Sequence, residues 1–352
     1  MKILVSALEA SSNLHLNELR KHLDGVEFVG IYEFEDTQGI YTPKDFSVMG
    51  FVDVVKKLFF IRSVFKEMLE LAMQADVVLL LDSSSFHIPL AKAIKKRNPS
   101  KRIIYYILPQ VWAWKPWRIA TIKRVFDELY GILPFEIGLY GGKAEYIGHP
   151  LLDELVLQKT AVQKEGSIVF MPGSRQGEIA RIFPIMCEVA KAMPNEKKVL
   201  VIPPFFDSKD LDDFYGENIK HFELSFDSNK ALYEAKFAFI CSGTATLQST
   251  IIGTPFVLCY KAKKIDEWIV RHLIKIDYIG LANILATSFM DEALHLELIQ
   301  QDCEAPKLLQ AYREMDAKEF FTKAQKIKQY LKSGSSANLA QRILAPQGSL
   351  KE

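Results

Sequence analysis

Two strand-to-helix turns in the second half of the sequence carry residues suited to binding a phosphate. In the first, an apolar run of strand length is followed by Gly173, Ser174 and Arg175, after which a helical pattern begins. Gly173 lets a backbone approach closely, Ser174 can cap the helix, and Arg175 lies where a helix amino terminus already attracts an anion. The turn therefore predicts a phosphate or diphosphate site. The alternative is a capped turn with a surface arginine.

The second turn follows the apolar run Phe237–Cys241 and offers small residues and hydroxyls at the start of another helix. Its free backbone amides could bind a diphosphate or a ribose by the same physics. Neither turn has the G-x-x-x-x-G-K-[ST] pattern of a P-loop, and no G-x-G-x-x-G begins the first half, which argues against ATP hydrolysis and ordinary NAD binding. The candidate residues of this turn are Ser242, Gly243, Thr244, Ala245, Thr246 and Gln248.

In the first half of the sequence, carboxylates follow two predicted strands. Asp82 comes directly after Val77–Leu81, and Glu9 and Ser11 follow Ile3–Ala7. An aspartate at the carboxyl end of a central strand could act as a general base on a hydroxyl, and Glu9 and Ser11 could line the same cleft. Alternatively, Asp82 or the serines after it cap the next helix.

The elements that would position these residues alternate between short apolar runs of strand length and amphipathic runs of helix length. This pattern is typical of α/β proteins with parallel sheets, which bind ligands at the carboxyl ends of their strands. The polar stretch Leu155–Gly166 is the best linker candidate, so we expect two domains, residues 1–155 and 166–345, facing a cleft. The predicted strands are Ile3–Ala7, Phe28–Tyr32, Val77–Leu81, Ile103–Ile107, Leu129–Leu133, Ile168–Met171, Val199–Ile202, Phe237–Cys241 and Phe256–Cys259. After Ile284 we expect no further strand and a helical tail within the second domain's bounds, with helices over Ala305–Met315, Ala317–Leu331 and Ala337–Leu344. These helices would cap the second domain or reach toward the first domain or a second subunit.

The helical pattern over Val54–Ala72 has an unusual outward side. A stripe that includes Val54, Leu58 and Ile61 would face a core, whereas other residues project off this stripe. Apolar bulk and cations on one side are typical of a helix on an anionic membrane or one that grips an acyl chain; the alternative is a helix buried on two sides. The outward residues are Phe59, Phe60, Lys56, Arg62 and Lys66.

The composition is that of a packed globular protein, with 49% hydrophobic and 25% charged residues. The 44 Lys and Arg residues nearly balance the 43 Asp and Glu residues, which argues against a nucleic-acid partner bound by bulk electrostatics. The 4 cysteines lie far apart and form no C-x-x-C pair, so we expect buried thiols and neither a zinc site nor a disulfide framework. No apolar run is long enough to predict a membrane span.

Several short motifs, taken in their order along nearly the whole chain, resemble those of one family. They are Pro109-Gln110-Val111-Trp112-Ala113-Trp114 with Arg118, Leu133-Pro134-Phe135-Glu136, Gly148-His149-Pro150-Leu151, Pro172-Gly173-Ser174-Arg175 with Glu178, Ser242-Gly243-Thr244-Ala245-Thr246-Leu247, and Asn283-Ile284-Leu285-Ala286 before Glu297-Leu298-Ile299-Gln300. In these motifs the sequence resembles the lipid-A-disaccharide synthases, which are glycosyltransferases of the GT-B type with two Rossmann-like domains.

This resemblance implies a reaction and a set of roles. The reaction is the inverting, metal- and cofactor-independent transfer of 2,3-diacylglucosamine from its UDP-linked form to 2,3-diacylglucosamine 1-phosphate, releasing UDP. Asp82 matches the aspartate proposed as base, with Glu9 nearby, and Arg175 matches the arginine of the nucleotide-binding domain. The turn from Ser242 to Thr246 would hold the donor diphosphate. Further substrate-binding residues would be Gln248, Asn283 and Gln300.

The resemblance also implies peripheral attachment to the cytoplasmic face of the inner membrane and a homodimer with exchanged carboxyl-terminal segments. Three motifs depart from the family pattern. Gly-Glu-x-Ser-Gly-Asp is here Leu8-Glu9-Ala10-Ser11-Ser12-Asn13, Asp-x-Pro-Asp-Phe-Asn is Asp82-Ser83-Ser84-Ser85-Phe86-His87, and a glutamate after the second turn is Gln248. The alternatives are a UDP-N-acetylglucosamine 2-epimerase on the same scaffold, or a membrane adaptor that has lost its chemistry.

Overall fold

The computed structural model describes residues 1–47, 54–241, 243–262 and 277–346, which form two units. We call them the N-terminal unit, Met1–Glu154 together with the segment that begins at Leu331, and the C-terminal unit, Leu155–Tyr330. None of the helices in the described ranges is long and apolar enough to cross a membrane. All 4 cysteines lie in the described ranges, are buried, and form no disulfide.

The N-terminal unit is built on a parallel sheet of six strands. They are β1 (Lys2–Ala7), β2 (Glu27–Ile31), β3 (Val77–Leu81), β4 (Arg102–Tyr106), β5 (Glu128–Gly131) and β6 (Ala144–Tyr146). Their spatial order is β2-β1-β3-β4-β5-β6. The chain leaves β1 in one direction for β2 and returns on the other side as β3, so the carboxyl ends of β1 and β3 form a topological switch point, where α/β sheets bind ligands.

Helices cover this sheet because its strands are apolar on both faces, and β3 is buried at every residue. The described helices that precede the C-terminal unit in the chain are α1 (Ala10–Arg20), α2 (Pro43–Ser47), α3 (Val54–Gln74), α4 (Ser84–Arg97), α5 (Arg118–Val125), α6 (Pro150–Glu154) and a 3₁₀ helix, Pro134–Tyr140.

The C-terminal unit has a second parallel sheet of six strands, with its own switch point. Its strands are β7 (Ser167–Met171), β8 (Lys198–Val201), β9 (Glu223–Ser225), β10 (Ala235–Cys241), β11 (Phe256–Tyr260) and β12 (Glu297–Ile299). The order β12-β11-β10-β7-β8-β9 puts the switch point between β7 and β10. The described helices are α7 (Gln176–Lys191), α8 (Ser208–Tyr215), α9 (Ser228–Glu234), α10 (Thr244–Ile252), α11 (Leu281–Met290), α12 (Ala305–Glu314), α13 (Ala317–Tyr330) and 3₁₀ helices at Gly216–His221 and Gln300–Asp302.

Every apolar run predicted as a strand forms one, with ends within two residues of the prediction. The expectation that no strand follows Ile284 was wrong, because β12 pairs with β11 through Leu298 and Cys259. The strands without a sequence signal, β6, β9 and β12, are three residues long and lie at sheet edges, where one face and one side meet solvent. Because an edge strand is not covered on all sides, its sequence need not be a continuous apolar run.

The end of the helical tail lies in the N-terminal unit, outside the second domain to which the predicted bounds 166–345 assign it, whereas the two preceding helices lie in the C-terminal unit. The last helix of the tail, α14 (Ser335–Leu344), packs in the N-terminal unit. The guanidinium of Arg102 donates to the carbonyls of Arg342, Ile343 and Ala345 at 2.7–3.0 Å. Carbonyls at a helix carboxyl terminus have no partner within the helix, so an arginine beneath them fixes the helix end.

Candidate functional site

Asp82 and Glu9 lie at the switch point of the N-terminal sheet, directly beyond the ends of β3 and β1. The two strands pair in register from Ile3 with Val77 to Ala7 with Leu81, which brings their carboxyl ends together. Glu9 is exposed and precedes α1, and Ser11 is half-buried in the first turn of that helix. The structure thus brings together the three residues predicted for this half of the site.

The backbone of Asp82 has a conformation that side-chain-bearing residues rarely adopt. Its φ is 53°, and that of Ser83 is 36°. Two such residues in succession are strained, since each costs roughly 1–2 kcal/mol relative to an ordinary conformation. Ser83 precedes α4 without a side-chain capping hydrogen bond, so this serine does not cap the helix.

The carboxyl group of Asp82 has a raised pKa of about 6. Loss of solvent around the half-buried group is the main cause, and the negative charge of Glu9 is the second. A carboxylate with a pKa near 6 remains ionised at neutral pH and accepts a proton more readily than an ordinary aspartate. Such a carboxylate is suited to general-base chemistry.

Two residues to which the sequence analysis gave no role bind the backbone of Asp82. The Tyr105 hydroxyl donates to the Asp82 carbonyl at 2.8 Å, and His87 Nδ1 lies 2.8 Å from the same oxygen. His87 is completely buried, and its Nε2 lies 2.8 Å from Ser6 Oγ. The sequence shows His87 five residues after Asp82, and helical periodicity alone assigns this histidine to the core.

The first of the two turns predicted to bind a phosphate follows β7 in the C-terminal unit. Gly173 has a φ of 112°, and a Cβ at this position would lie 2.7 Å from Glu178 Oε2, so only glycine fits. Arg175, rather than Ser174, precedes α7, and both side chains are exposed. The Arg175 guanidinium is 82% exposed and donates to Glu178 Oε1 at 3.2 Å. The first backbone amides of α7 and an accessible cation thus lie at one place.

The second turn follows β10, the sheet neighbour of β7. Ile240 pairs with Met171 near the end of each strand, so the two turns lie side by side. Gly243, with a φ of 138°, and Thr244 are exposed at the start of α10, and Ala245 is half-buried. Ser242 lies outside the described residues.

Two predicted residues of α10 are already bound to other protein groups. Thr246 is buried, and its hydroxyl donates to the Gly243 carbonyl at 2.9 Å, which stabilises the turn from within. Gln248 Nε2 donates to Ser228 Oγ at 2.8 Å and to Asn229 Oδ1 at 2.5 Å. Ser228 and Asn229 begin α9 and were missed by the sequence analysis, because no local pattern links them to Gln248.

Asn283 is not available to a substrate as the sequence analysis expected. It is completely buried, its Nδ2 donates to the His295 carbonyl and to Glu297 Oε1 at 2.9 Å, and its Oδ1 accepts from the amides of Leu294 and His295. An amide side chain that makes four hydrogen bonds has no further capacity, so Asn283 positions the segment that leads into β12. Gln300 Oε1 accepts from the Ala262 amide at 3.1 Å.

Only part of the predicted membrane face of α3 is exposed. Phe59 is 71% exposed, and Arg62 and Lys66 are exposed on the following turns, whereas Phe60 is half-buried. The Phe60 ring packs 5.6 Å from the rings of Tyr41 and Phe46, so its assignment to the outward face was wrong. Leu58, which was placed on the core stripe, is 64% exposed. The side chain of Lys56 lies outside the described residues.

Solved structures share this two-sheet fold. A Methanocaldococcus jannaschii UDP-GlcNAc 2-epimerase in complex with UDP-GlcNAc and UDP aligns with a TM-score of 0.58 at 12% identity, covering 98% of this chain and 99% of that one. The glycotransferase of kitacinnamycin aligns with a TM-score of 0.58 at 13% identity, covering 97% of each chain. At such low identity the likeness shows the fold alone, which is the GT-B arrangement.

The sequence comparisons are more specific. A lipid-A-disaccharide synthase of Helicobacter pylori (strain Shi470) is 52% identical over 350 residues, which is 96% of each chain. The family model described as lipid-A-disaccharide synthetase matches residues 3–344. The chain therefore belongs to the lipid-A-disaccharide synthetase family.

Proposed function

We propose that the protein joins UDP-2,3-diacylglucosamine to 2,3-diacylglucosamine 1-phosphate, giving the β-1′,6-linked disaccharide 1-phosphate and UDP. Family membership makes the chain a glycosyltransferase of lipid A biosynthesis. The geometry supports an assignment of roles to individual residues. The observation that carries this assignment is the raised pKa of the Asp82 carboxylate, which lies at the switch point of the first sheet. The epimerase and the adaptor are not favoured, since the likeness to epimerases is one of fold only.

Asp82 would act on the acceptor. The acceptor's primary hydroxyl attacks C1 of the donor sugar, the bond from C1 to the diphosphate oxygen breaks, and the hydroxyl proton passes to the Asp82 carboxylate. Proton transfer to a positioned group contributes about 10²–10⁴-fold to a rate when its pKa lies near the working pH. Glu9 favours this step electrostatically, because its negative charge makes Asp82 a stronger base.

The two turns of the C-terminal unit would bind the donor diphosphate. Negative charge grows on the leaving diphosphate as the bond breaks, and the first amides of α7 and α10 together with Arg175 would stabilise it. The Arg175 side chain is 82% exposed in its salt bridge with Glu178, so its cation remains accessible to a phosphate. Gln248 would bind a ribose hydroxyl from the same edge.

Both substrates carry acyl chains, so we propose that the protein works at the cytoplasmic face of the inner membrane. The exposed rings and methyls of Leu58 and Phe59, with the cations Arg62 and Lys66, form a surface suited to an anionic bilayer. A dimer with exchanged carboxyl-terminal segments would make the contacts of Arg102 with α14 between subunits instead of within one.

A mass-resolved assay with the two diacylated sugars tests the reaction. We expect one disaccharide 1-phosphate and one UDP for each pair of substrates consumed, and no manno epimer from UDP-N-acetylglucosamine alone. Folded protein that yields the epimer, or that yields no disaccharide from the lipid substrates, would overturn the proposal. The Asp82→Ala variant, assayed in parallel with the wild type, should lose turnover and keep UDP binding.

A further inference from the structure

Asp82 sits in a backbone conformation that requires support from neighbouring groups. Both Asp82 and Ser83 have positive φ. The hydrogen bonds between β3 and β4 end at the Asp82 amide, which donates to the Tyr106 carbonyl at 3.0 Å. The Ser83 carbonyl accepts from the amides of Phe86 and His87 at 3.0 and 3.1 Å, and the other backbone acceptor of this turn is the Asp82 carbonyl. It receives two side-chain hydrogen bonds, one from Tyr105 and one from His87.

The contacts of His87 determine which ring nitrogen carries the proton. A carbonyl oxygen can only accept, so Nδ1, which lies 2.8 Å from the Asp82 carbonyl, must carry a hydrogen. Burial lowers the pKa of His87 to about 4, so the ring is neutral and Nε2 is bare. Ser6 Oγ, 2.8 Å away on β1, therefore donates to Nε2. The Asp82 carbonyl thus sets the tautomer of His87, and the Ser6 hydroxyl on the neighbouring strand complements it by donating to Nε2.

We propose that His87, held by Ser6 as the Nδ1–H tautomer, is a positioning residue that fixes the Asp82 backbone and so keeps the carboxylate of Asp82 beside Glu9. The kinetic part of this inference rests on the proposed role of Asp82 as base. His87 is not itself a catalytic residue, because both nitrogens bind protein groups and its side chain has no exposed surface.

Three variants separate positioning from simple packing. His87→Asn puts its amide nitrogen where Nδ1 lies and can still donate to the Asp82 carbonyl, whereas the longer side chain of His87→Gln brings its amide toward Ser6. Both shrink the same buried ring, so a structural role would lower kcat equally in the two. We expect His87→Asn to keep kcat within about threefold and His87→Gln to lower it about 10²-fold at unchanged KM, since small displacements of reacting groups have effects of that size.

Tyr105→Phe provides a variant without a cavity. It removes the second donor to the same carbonyl while the ring keeps its stacking on Phe126 at 4.4 Å between centroids. We expect a lower kcat at unchanged KM, although less than for His87→Gln because one donor remains. Equal kcat for His87→Asn and His87→Gln, or an unchanged kcat in Tyr105→Phe, would overturn the positioning role.

Nitrogen-15 spectra of the histidine rings test the tautomer without any assay of activity. At pH 7.5 we expect His87 to show a protonated Nδ1 and a bare Nε2, and Ser6→Ala to reduce that preference. A protonated Nε2 or a charged ring would overturn the proposal whatever the role of Asp82. Conversely, full turnover in Asp82→Ala would refute the base and the kinetic part of this inference, and the spectra would still report the tautomer.

Discussion

Replacing Asp82 by Asn should make the protein more stable and the enzyme far slower. Asparagine keeps the shape of the side chain but carries no charge, so it removes the unfavourable burial and the repulsion from Glu9. The pKa of Asp82 rises from 3.8 to about 6 on folding. Since one pKa unit corresponds to 1.36 kcal/mol, the charged form destabilises the folded state by about 3 kcal/mol well above pH 6.

The sign of this effect gives it a characteristic pH dependence. Because the folded pKa is the higher one, the folded state binds the proton more tightly, and wild-type stability falls relative to Asp82→Asn as the pH rises from about 4 through 6. The free energy of unfolding of Asp82→Asn should therefore exceed that of the wild type by about 3 kcal/mol at pH 8 and by only about 0.5 kcal/mol at pH 4. The kcat/KM of the wild type should rise over the same range and reach half its maximum near pH 6.

Urea unfolding at several pH values, followed by tryptophan fluorescence, measures the difference in unfolding free energy between Asp82→Asn and the wild type. Trp112, Trp114 and Trp117 all report on the N-terminal unit. Asp24→Asn, at an exposed aspartate of the same unit, is the matched control and should stay within about 0.5 kcal/mol of wild type. A gain that does not change with pH, or a variant less stable than wild type at pH 8, would refute the raised pKa. Turnover above one hundredth of wild type would refute the base.

Three further predictions follow from the turn between β7 and α7, which we propose to bind phosphate, and from α3. Gly173→Ala should weaken UDP binding by calorimetry at least about tenfold, because its Cβ would clash with a neighbouring carboxylate, whereas Gly177→Ala, whose Cβ meets only a flexible arginine, should bind normally. Arg175→Gln should weaken UDP binding about 10- to 100-fold, the value of a charge-assisted hydrogen bond, and leave stability unchanged; normal binding would exclude Arg175 from the site. Phe59→Ser should release the protein from anionic vesicles at wild-type stability, and Phe60→Ser should lower stability by about 2 kcal/mol and keep vesicle binding. The opposite pattern in flotation and urea experiments would contradict the exposure of the two rings.

Much of the fold could be predicted because a strand covered on both faces must be apolar at every residue. The apolar runs that form β1, β3 and β10 are visible in the sequence itself. The turns that follow these strands can be recognised by their glycines, hydroxyls and acidic residues. Parallel strands then bring those turns to one edge of a sheet without any further information.

Other features depend on contacts between residues far apart in the chain. Phe60 was misplaced because helical periodicity does not show that Tyr41 and Phe46 cover it. Asn283 could be found by its motif, but the amides that saturate it belong to a later loop. The last helix could be predicted, and its position could not, because the guanidinium of Arg102 that binds it lies more than two hundred residues earlier.

A comparison of two carboxylates in the same sheet explains why Asp82 is better suited to chemistry than to structure. Asp127, directly before β5, is paired with Lys95 Nζ at 2.8 Å and accepts from the Ile103 amide at 2.8 Å, as a carboxylate that stabilises a fold does. Asp82 faces a second carboxylate and has a strained backbone, and both features oppose folding. Local features that lower stability persist where they serve a site. Burial and the repulsion from Glu9 raise the basicity of Asp82, and the left-handed turn fixes its place. The same features that destabilise the unit would therefore favour the proton transfer.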